Sequence, residues 1–356
     1  MIARSASAAT AAVLLAGLGP AAGVAQEAHV VGGGGGGPVA VYNLAGRVTI
    51  ERGSGSEVVV EVVRGGPDAG QLRVETGRIR RAETLRVVYP ARRVVASFLE
   101  SPGRTRVRVR DDGTFSDDNH GDRGTEVTVS GEGSGLEAWA DLTIKLPPGN
   151  TLDVYLAVGR VTAANIAGDI RIDTHSAPVT AADIAGELDV DVGSGAVAIR
   201  RLDGNLRVDT GSGAVVVKGV EGELIDIDTG SGGVSGGGLA AHTIRIDTGS
   251  GGIDLSDVAV DRLALDTGSG AVKLTLANAP RDVDVDTGSG GVTLRSPAGL
   301  NATVELETGS GTIHTDFPLT VTKFDRDHVV GLVGDGSGRI RIETGSGSIR
   351  LLELGG

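Results

Sequence analysis

Apolar and polar residues alternate in short runs along most of the chain, and in its second half the alternation returns in one phase every 18 to 21 residues. In Leu206–Gly222 (LRVDTGSGAVVVKGVEG), Leu206 and Val208 alternate with Arg207 and Asp209, and Val215 and Val217 alternate again after a short break. A period of two marks a strand with one buried face. Val220 supplies a third inward site, and Gly222 is expected to turn a second corner. The next repeat offers Leu224, Ile227, Val234 and Leu239 for the same roles. By parity, Thr210 falls on the Val208 side.

Each repeat is punctuated by one motif. Aligned on its acid, it stands at Asp173 (DTHSA), Asp191 (DVGSG), Asp209, Asp228, Asp247, Asp266 and Asp286 (all DTGSG), then Glu307 and Glu343 (ETGSG). The final interval of 36 residues holds either two repeats or one with an insertion. A fixed period near 19 residues is the signature of a repeat architecture. The paired glycines, Gly211 and Gly213, Gly230 and Gly232, Gly249 and Gly251, Gly268 and Gly270, Gly288 and Gly290, are expected to take φ > 0 and make a sharp corner. One repeat cannot bury its own apolar face, but stacking can. Five or six inward side chains at roughly 1.5–3 kcal/mol each give a repeat about 8–15 kcal/mol before chain entropy is subtracted. The expected fold is therefore all-β, a parallel β-solenoid (β-helix) over 148–356. A series of antiparallel hairpins joined at each T-G-S-G is the competing arrangement.

The first half has strand-like runs without a strict repeat, among them Val58–Val63 (VVVEVV), Leu85–Tyr89 (LRVVY) and Val107–Arg110 (VRVR). Residues 39–147 are expected to form an irregular β-region capping the solenoid. Asp111–Asp122 (DDGTFSDDNHGD) is acidic but lacks ordered ligand offsets, so it reads as a surface loop. Residues 26–38 end in the glycine run Gly32–Gly37, expected to be a flexible arm. Residues 1–25 have the form of a secretory signal peptide: Arg4, the apolar run Ala11–Leu18, and a small-residue site at Gly23-Val24-Ala25 before Gln26. No later apolar stretch approaches the length that spans a bilayer as a helix.

Composition sharpens this picture. The 356 residues include 59 Gly, one Trp, three Tyr, four Phe, one Met and no Cys. The core must therefore be aliphatic, and disulfides and thiol chemistry are excluded. The formal net charge is −13, which argues against nucleic acid as a partner, since that ligand wants basic stripes and stacking rings.

Several features together resemble a known family. These are Gly46–Ile50 (GRVTI) before Val58–Val63, Leu146–Gly149 (LPPG) leading into the repeat, the recurrent T-G-S-G turns, Thr312–Val321 (TIHTDFPLTV), Gly331–Gly338 (GLVGDGSG) and the closing Arg339–Leu351 (RIRIETGSGSIRL). The chain resembles the bacterial putative-adhesin proteins with DUF4097-type β-strand repeats over nearly all of its mature length. The resemblance implies a surface protein and brings no catalytic residues with it. The many strict DTGSG turns and the glycine arm depart from the family pattern.

The row Asp191, Asp209, Asp228, Asp247, Asp266 and Asp286 is the most conspicuous chemical feature. Two roles fit it: each acid caps its own turn, or neighbouring acids share a divalent cation. No other cofactor is expected. An enzyme needs one or two acids in unequal surroundings, and a repeated acid is not singled out. Trp139 is expected to pack rather than to hold a sugar, and the six His do not pair at metal-ligand spacing. The expected function is an exported, non-catalytic cell-envelope or surface protein, adhesin-like or scaffolding, with a protein or glycan ligand. A carbohydrate-active β-helix enzyme and a cation-responsive envelope sensor are the alternatives.

Overall fold

The structure is a computed structural model and describes residues 26–33, 37–99, 103–115 and 124–355. The expected leader lies outside the described residues, as do Gly34 to Gly36 and much of the Asp111–Asp122 loop. Regular structure among the described residues is strand, apart from one 3₁₀ turn at Ala69–Gln71. Two compact units result: one runs through Val161 and takes in Ile166–Gly168, the other comprises Thr162–Asn165 and Asp169–Gly356. The division falls later than the LPPG step, because the strand after that step, Thr151–Ala167, pairs with Val39–Arg52.

In the first unit, Gln26–Gly33 is a strand and not a flexible arm. It runs antiparallel to Glu57–Gly65, with Gln26 opposite Val63 and Val30 opposite Val59. Val58, Val60 and Val62 supply the buried face of that partner, so the strand is held by a regular ladder. Trp139–Leu146 pairs with Glu57–Gly65 on one side and runs parallel to Val39–Arg52 on the other. Burial of the polar Asn43 is satisfied by bonds from its Nδ2 to the carbonyls of Ala45 and Ala140, at 3.0 and 2.7 Å. The Tyr89 hydroxyl lies 2.8 Å from Asn43 Oδ1, and burial pushes its phenol well above the ordinary range. A separate small sheet has the order Arg104–Val109, Thr125–Ser130, Arg93–Val95, Leu136–Glu137.

The repeats of the second unit run parallel and in register. Val190, Val208, Ile227, Ile246, Leu265, Val285 and Ile342 follow one another across successive strands. Val197, Val215, Val234, Ile253, Val272, Val292 and Ile349 form a second buried column. Leu202, Val220, Leu239 and Val258 form a third. Antiparallel hairpins at the T-G-S-G turns are thereby excluded. One inward residue shifts from expectation: Ile225, not Leu224, continues the Leu206 column, because the 19-residue repeat places its extra residue before that strand.

The glycines work differently from the expected φ > 0 turns. Gly211, Gly213, Gly230, Gly232, Gly249, Gly251, Gly268, Gly270, Gly288 and Gly290 are outside the left-handed region. Stacking demands them instead: a Cβ on Gly251 would sit 2.0 Å from the Gly232 carbonyl oxygen, and one on Gly270 1.9 Å from that of Gly251. Gly222 likewise lies inside the strand Val215–Thr229, where a Cβ would meet the Gly204 carbonyl oxygen at 2.3 Å. The left-handed corner is at Gly219 (φ 64°), aligned with Arg201 (φ 54°) before it and Gly238 (φ 64°) after it.

The last repeat is not stacked in chain order. Gly338–Thr344 runs parallel to Asp282–Thr287 on one side and to Ala302–Thr308 on the other. Ile349–Glu353 lies in the same way between Val292–Ser296 and Ile313–Thr315. The 36-residue interval thus holds one repeat followed by the antiparallel pair Thr320–Phe324 and His328–Val333. His328–Val333 also runs antiparallel to Ala302–Thr308. The chain end then returns to fill the gap.

Candidate functional site

The repeated acids face outward in one row across the parallel sheet. Asp191, Asp209, Asp228, Asp247, Asp266 and Asp286 are mutual neighbours in register. Intercalation of the last repeat then puts Glu343 next to Asp286 and Glu307 beyond it. Adjacent parallel strands lie about 4.8 Å apart, so the carboxylates repel along the row. Partial burial, followed by repulsion from Asp209, Asp247 and Asp226, holds the Asp228 carboxyl above the usual range. Asp266 is raised for the same reasons, with Asp247, Asp286 and Asp284 as its neighbours.

From Asp228 to Asp286 the turns are closed by a hydroxyl. It belongs to the threonine that follows each of Asp228, Asp247, Asp266 and Asp286. Thr229, Thr248, Thr267 and Thr287 are fully buried, and the Oγ1 of each accepts a bond from the backbone N–H three residues on, at 2.9–3.0 Å. The hydroxyls of Thr248, Thr267 and Thr287 also donate to the glycine carbonyl of the preceding repeat, at 2.9, 2.9 and 3.0 Å. One hydroxyl thus closes its own turn and ties two repeats together.

A second outward row offsets the first. Two residues before each acid stand Asp189, Arg207, Asp226, Arg245, Ala264, Asp284, Arg341 and Glu305, neighbours in that order. Its charges largely alternate, and opposite charges across strands stabilise a sheet. Arg207 Nε lies 3.8 Å from Asp226 Oδ2, and Arg341 reaches Asp284 at 3.4 Å as well as Glu343. Between the rows runs a shallow groove of about 420 Å³ lined by Asp226, Asp228, Arg245, Asp247, Asp266 and Arg341 among others. It is an open, mixed-charge surface.

Sequence spacing missed one cluster. His328 lies opposite Glu307, with its Nε2 3.4 Å from Glu305 Oε1 and its Nδ1 3.9 Å from Glu307 Oε2. The three side chains offer ligand atoms within 4.8 Å of one another. Lys323 Nζ, however, stands 2.8 Å from His328 Nδ1, where its N–H competes with a metal for the lone pair of that ring nitrogen. The cross-strand pairing that assembles this cluster depends on the hairpin, which no spacing rule anticipates. Trp139 packs: its ring lies 5.5 Å from that of Phe98, and a Cβ on Gly65 would strike it at 2.4 Å.

Residues 104–352 match the family model described as Toastrack DUF4097. The chain belongs to this family. The matched stretch takes in three of the four strands of the small sheet and every aligned acid of this Toastrack chain. A solved structure described as a "putative cell adhesion protein" from Clostridium sporogenes is similar at 11% identity and a TM-score of 0.21, covering 92% of this chain and 98% of that one. That likeness is too slight to bear on fold or function. No curated protein matches the chain. Among the described residues, no helix is long and apolar enough to cross a membrane.

Proposed function

We propose that this Toastrack protein is an exported, non-catalytic cell-envelope or surface protein, and that its second unit is a β-solenoid whose repeating outward face binds or scaffolds an extended protein or glycan partner. The observation that carries this reading is the uniformity of the face. Asp228, Asp247 and Asp266 have like neighbours on both sides, whereas acid–base catalysis needs groups whose surroundings separate their pKa values. A ladder of equivalent groups suits multivalent contact with a repeating ligand. The secretory form of residues 1–25 supports export.

The test has two parts. Mass determination of the exported species should find a chain starting near Gln26; a cytoplasmic species retaining Met1 would sink the export claim. An array of glycans and matrix proteins, probed with and without calcium, should show binding without turnover. Depolymerisation of any arrayed polysaccharide would overturn the non-catalytic reading, and strictly calcium-gated binding would shift it toward a cation-responsive sensor.

A further inference from the structure

The first unit carries a surface of opposite character to the ladder. On the strand Arg104–Val109, Thr105, Val107 and Val109 turn to the less exposed side, while Arg104 and Arg106 are exposed. The partner strand Thr125–Ser130 buries Val127 and Val129 and turns Glu126, Thr128 and Ser130 outward. In register, Thr128 is flanked by Arg106 on one side and Arg93 on the other, and Ser130 by Arg104. With strands about 4.8 Å apart, Arg93 and Arg106 straddle Thr128 at a Cα separation of roughly 10 Å. Arg93, Arg106 and Thr128 line one groove. Among the described residues none of these three arginines makes an ion pair. In a chain of net charge −13, unpaired arginines gathered on one sheet face are a segregated charge and not the average surface.

We propose that this face, a groove of about 480 Å³, binds an acidic polysaccharide, with Arg93 and Arg106 gripping a carboxylate above Thr128 and Arg104 extending the contact along Ser130. The inference rests on the surface-protein reading and names one ligand class for it. Guanidinium forks match carboxylates in bidentate geometry. The groove also holds Glu126 and Glu132. Those carboxylates would repel a dense anionic bilayer surface, but they accept bonds from sugar hydroxyls. Among the described residues no aromatic ring lines the groove, so they offer no platform for the bases of a nucleic acid. A polymer carrying both anions and hydroxyl donors fits the mixed lining best.

The test uses the mature full-length chain and polygalacturonate as the probe, with dextran as a neutral polymer and phosphatidylglycerol vesicles as an anionic membrane. Polygalacturonate should bind with an affinity that falls as salt rises, and dextran should not bind. The double variant R93A/R106A should bind at least tenfold more weakly, and R93K/R106K, which keeps charge without the fork, should fall between. R200A/R262A, at exposed arginines of the second unit, should leave binding unchanged. Because all the altered side chains are exposed, the variants should melt like the parent. Equal binding by R93A/R106A, or binding to vesicles but not to the polysaccharide, overturns the proposal. A surface-displayed chain that fails to bind defeats this inference alone, whereas a cytoplasmic chain defeats the surface reading whatever the groove binds.

Discussion

The stretch Leu188–Ser296 and the stretch Asn301–Glu353 carry the same motif, yet they are assembled differently. In the first, each repeat pairs with the next in the chain, and the columns run Val190, Val208, Ile227, Ile246, Leu265, Val285 without interruption. In the second, the final repeat leaves chain order and enters between its two predecessors. Alternation and turn chemistry decide which side chains face inward, and they do so equally in both stretches. They say nothing about which repeat sits beside which, because similar repeats present similar edges. Order in the regular stretch follows from short connections. In the terminal stretch the hairpin Thr320–Val333 separates two repeats by 36 residues, and connectivity no longer enforces adjacency.

Removing residues 338–356 should separate the two stretches most sharply. The deletion takes away Ile340, Ile342, Ile349 and Leu351, all fully buried, worth about 6–12 kcal/mol together at the usual value per aliphatic side chain. That is comparable to the whole stability of a typical domain. It also leaves Asp282–Thr287 and Ala302–Thr308 with facing, unpaired edges. Limited proteolysis of the truncated chain should cut within 300–333 while 188–296 stays protected. Continued protection of 300–333 would mean that the two edges can close directly on each other.

Within the regular stretch, the glycines that stacking requires should be nearly irreplaceable. Gly251→Ala drives a Cβ to 2.0 Å from the Gly232 carbonyl oxygen and 2.7 Å from the Gly233 nitrogen. Backbone must move in both repeats, at a cost of about 3 kcal/mol or more. Gly299→Ala meets nothing within 4 Å and should leave the melting temperature unchanged. Equal melting temperatures for the two variants would show that the repeats can spread without penalty.

Much of this was legible from periodicity. The inward positions Val208, Val215, Val217 and Val220 follow from alternation, and the parallel pairing follows from the period near 19. What escaped detection depends on contacts between repeats. The need for glycine at position 251 comes from a carbonyl one repeat away, so local turn chemistry suggested φ > 0 instead. Composition alone made residues 26–33 a flexible arm, but their pairing with Glu57–Gly65 outweighs the entropy of the neighbouring glycines. For the candidate site, the acid row was visible in the spacing. Its compensating row was not, because Arg207, Asp226 and Arg245 vary from repeat to repeat and become a pattern only when stacked.

Threonine should matter more than the acid before it. Thr267→Val keeps shape but strands the Gly270 N–H and removes the donor to the Gly251 carbonyl. Unsatisfied buried groups cost about 1–3 kcal/mol each, so a loss near 2 kcal/mol is expected by urea denaturation. Thr267→Ser retains both bonds and should recover about half of that loss. If Ser is as damaging as Val, the methyl group and not the hydroxyl holds the repeats together.

The smallest effect should come from the acids, and it should change with pH in a defined direction. Asp228 and Asp266 titrate above the ordinary carboxylate value of 3.8 in the folded chain, through partial burial and then their neighbours' charge. At neutral pH both are ionised in the folded and unfolded chain alike, and the repulsion is fully present. As pH falls through their raised folded pKa values, the folded chain takes up protons that the unfolded chain does not, so stability rises until the ordinary value is reached. Asp112 and Asp183 have depressed pKa values, so their contributions are lost only below 3.8, outside this window. The variant D228N/D266N should therefore be more stable than the parent at pH 7, by about 0.5 kcal/mol for each relieved cross-strand repulsion, and the difference should shrink as pH falls toward 3.8. Thermal melts of both proteins across that range would measure it. A difference that stays constant with pH would show that the carboxylates do not sense one another. A parent that calcium stabilises strongly, while the Asn variant gains nothing, would mean that the row is compensated by bound cation and not by its neighbouring arginines.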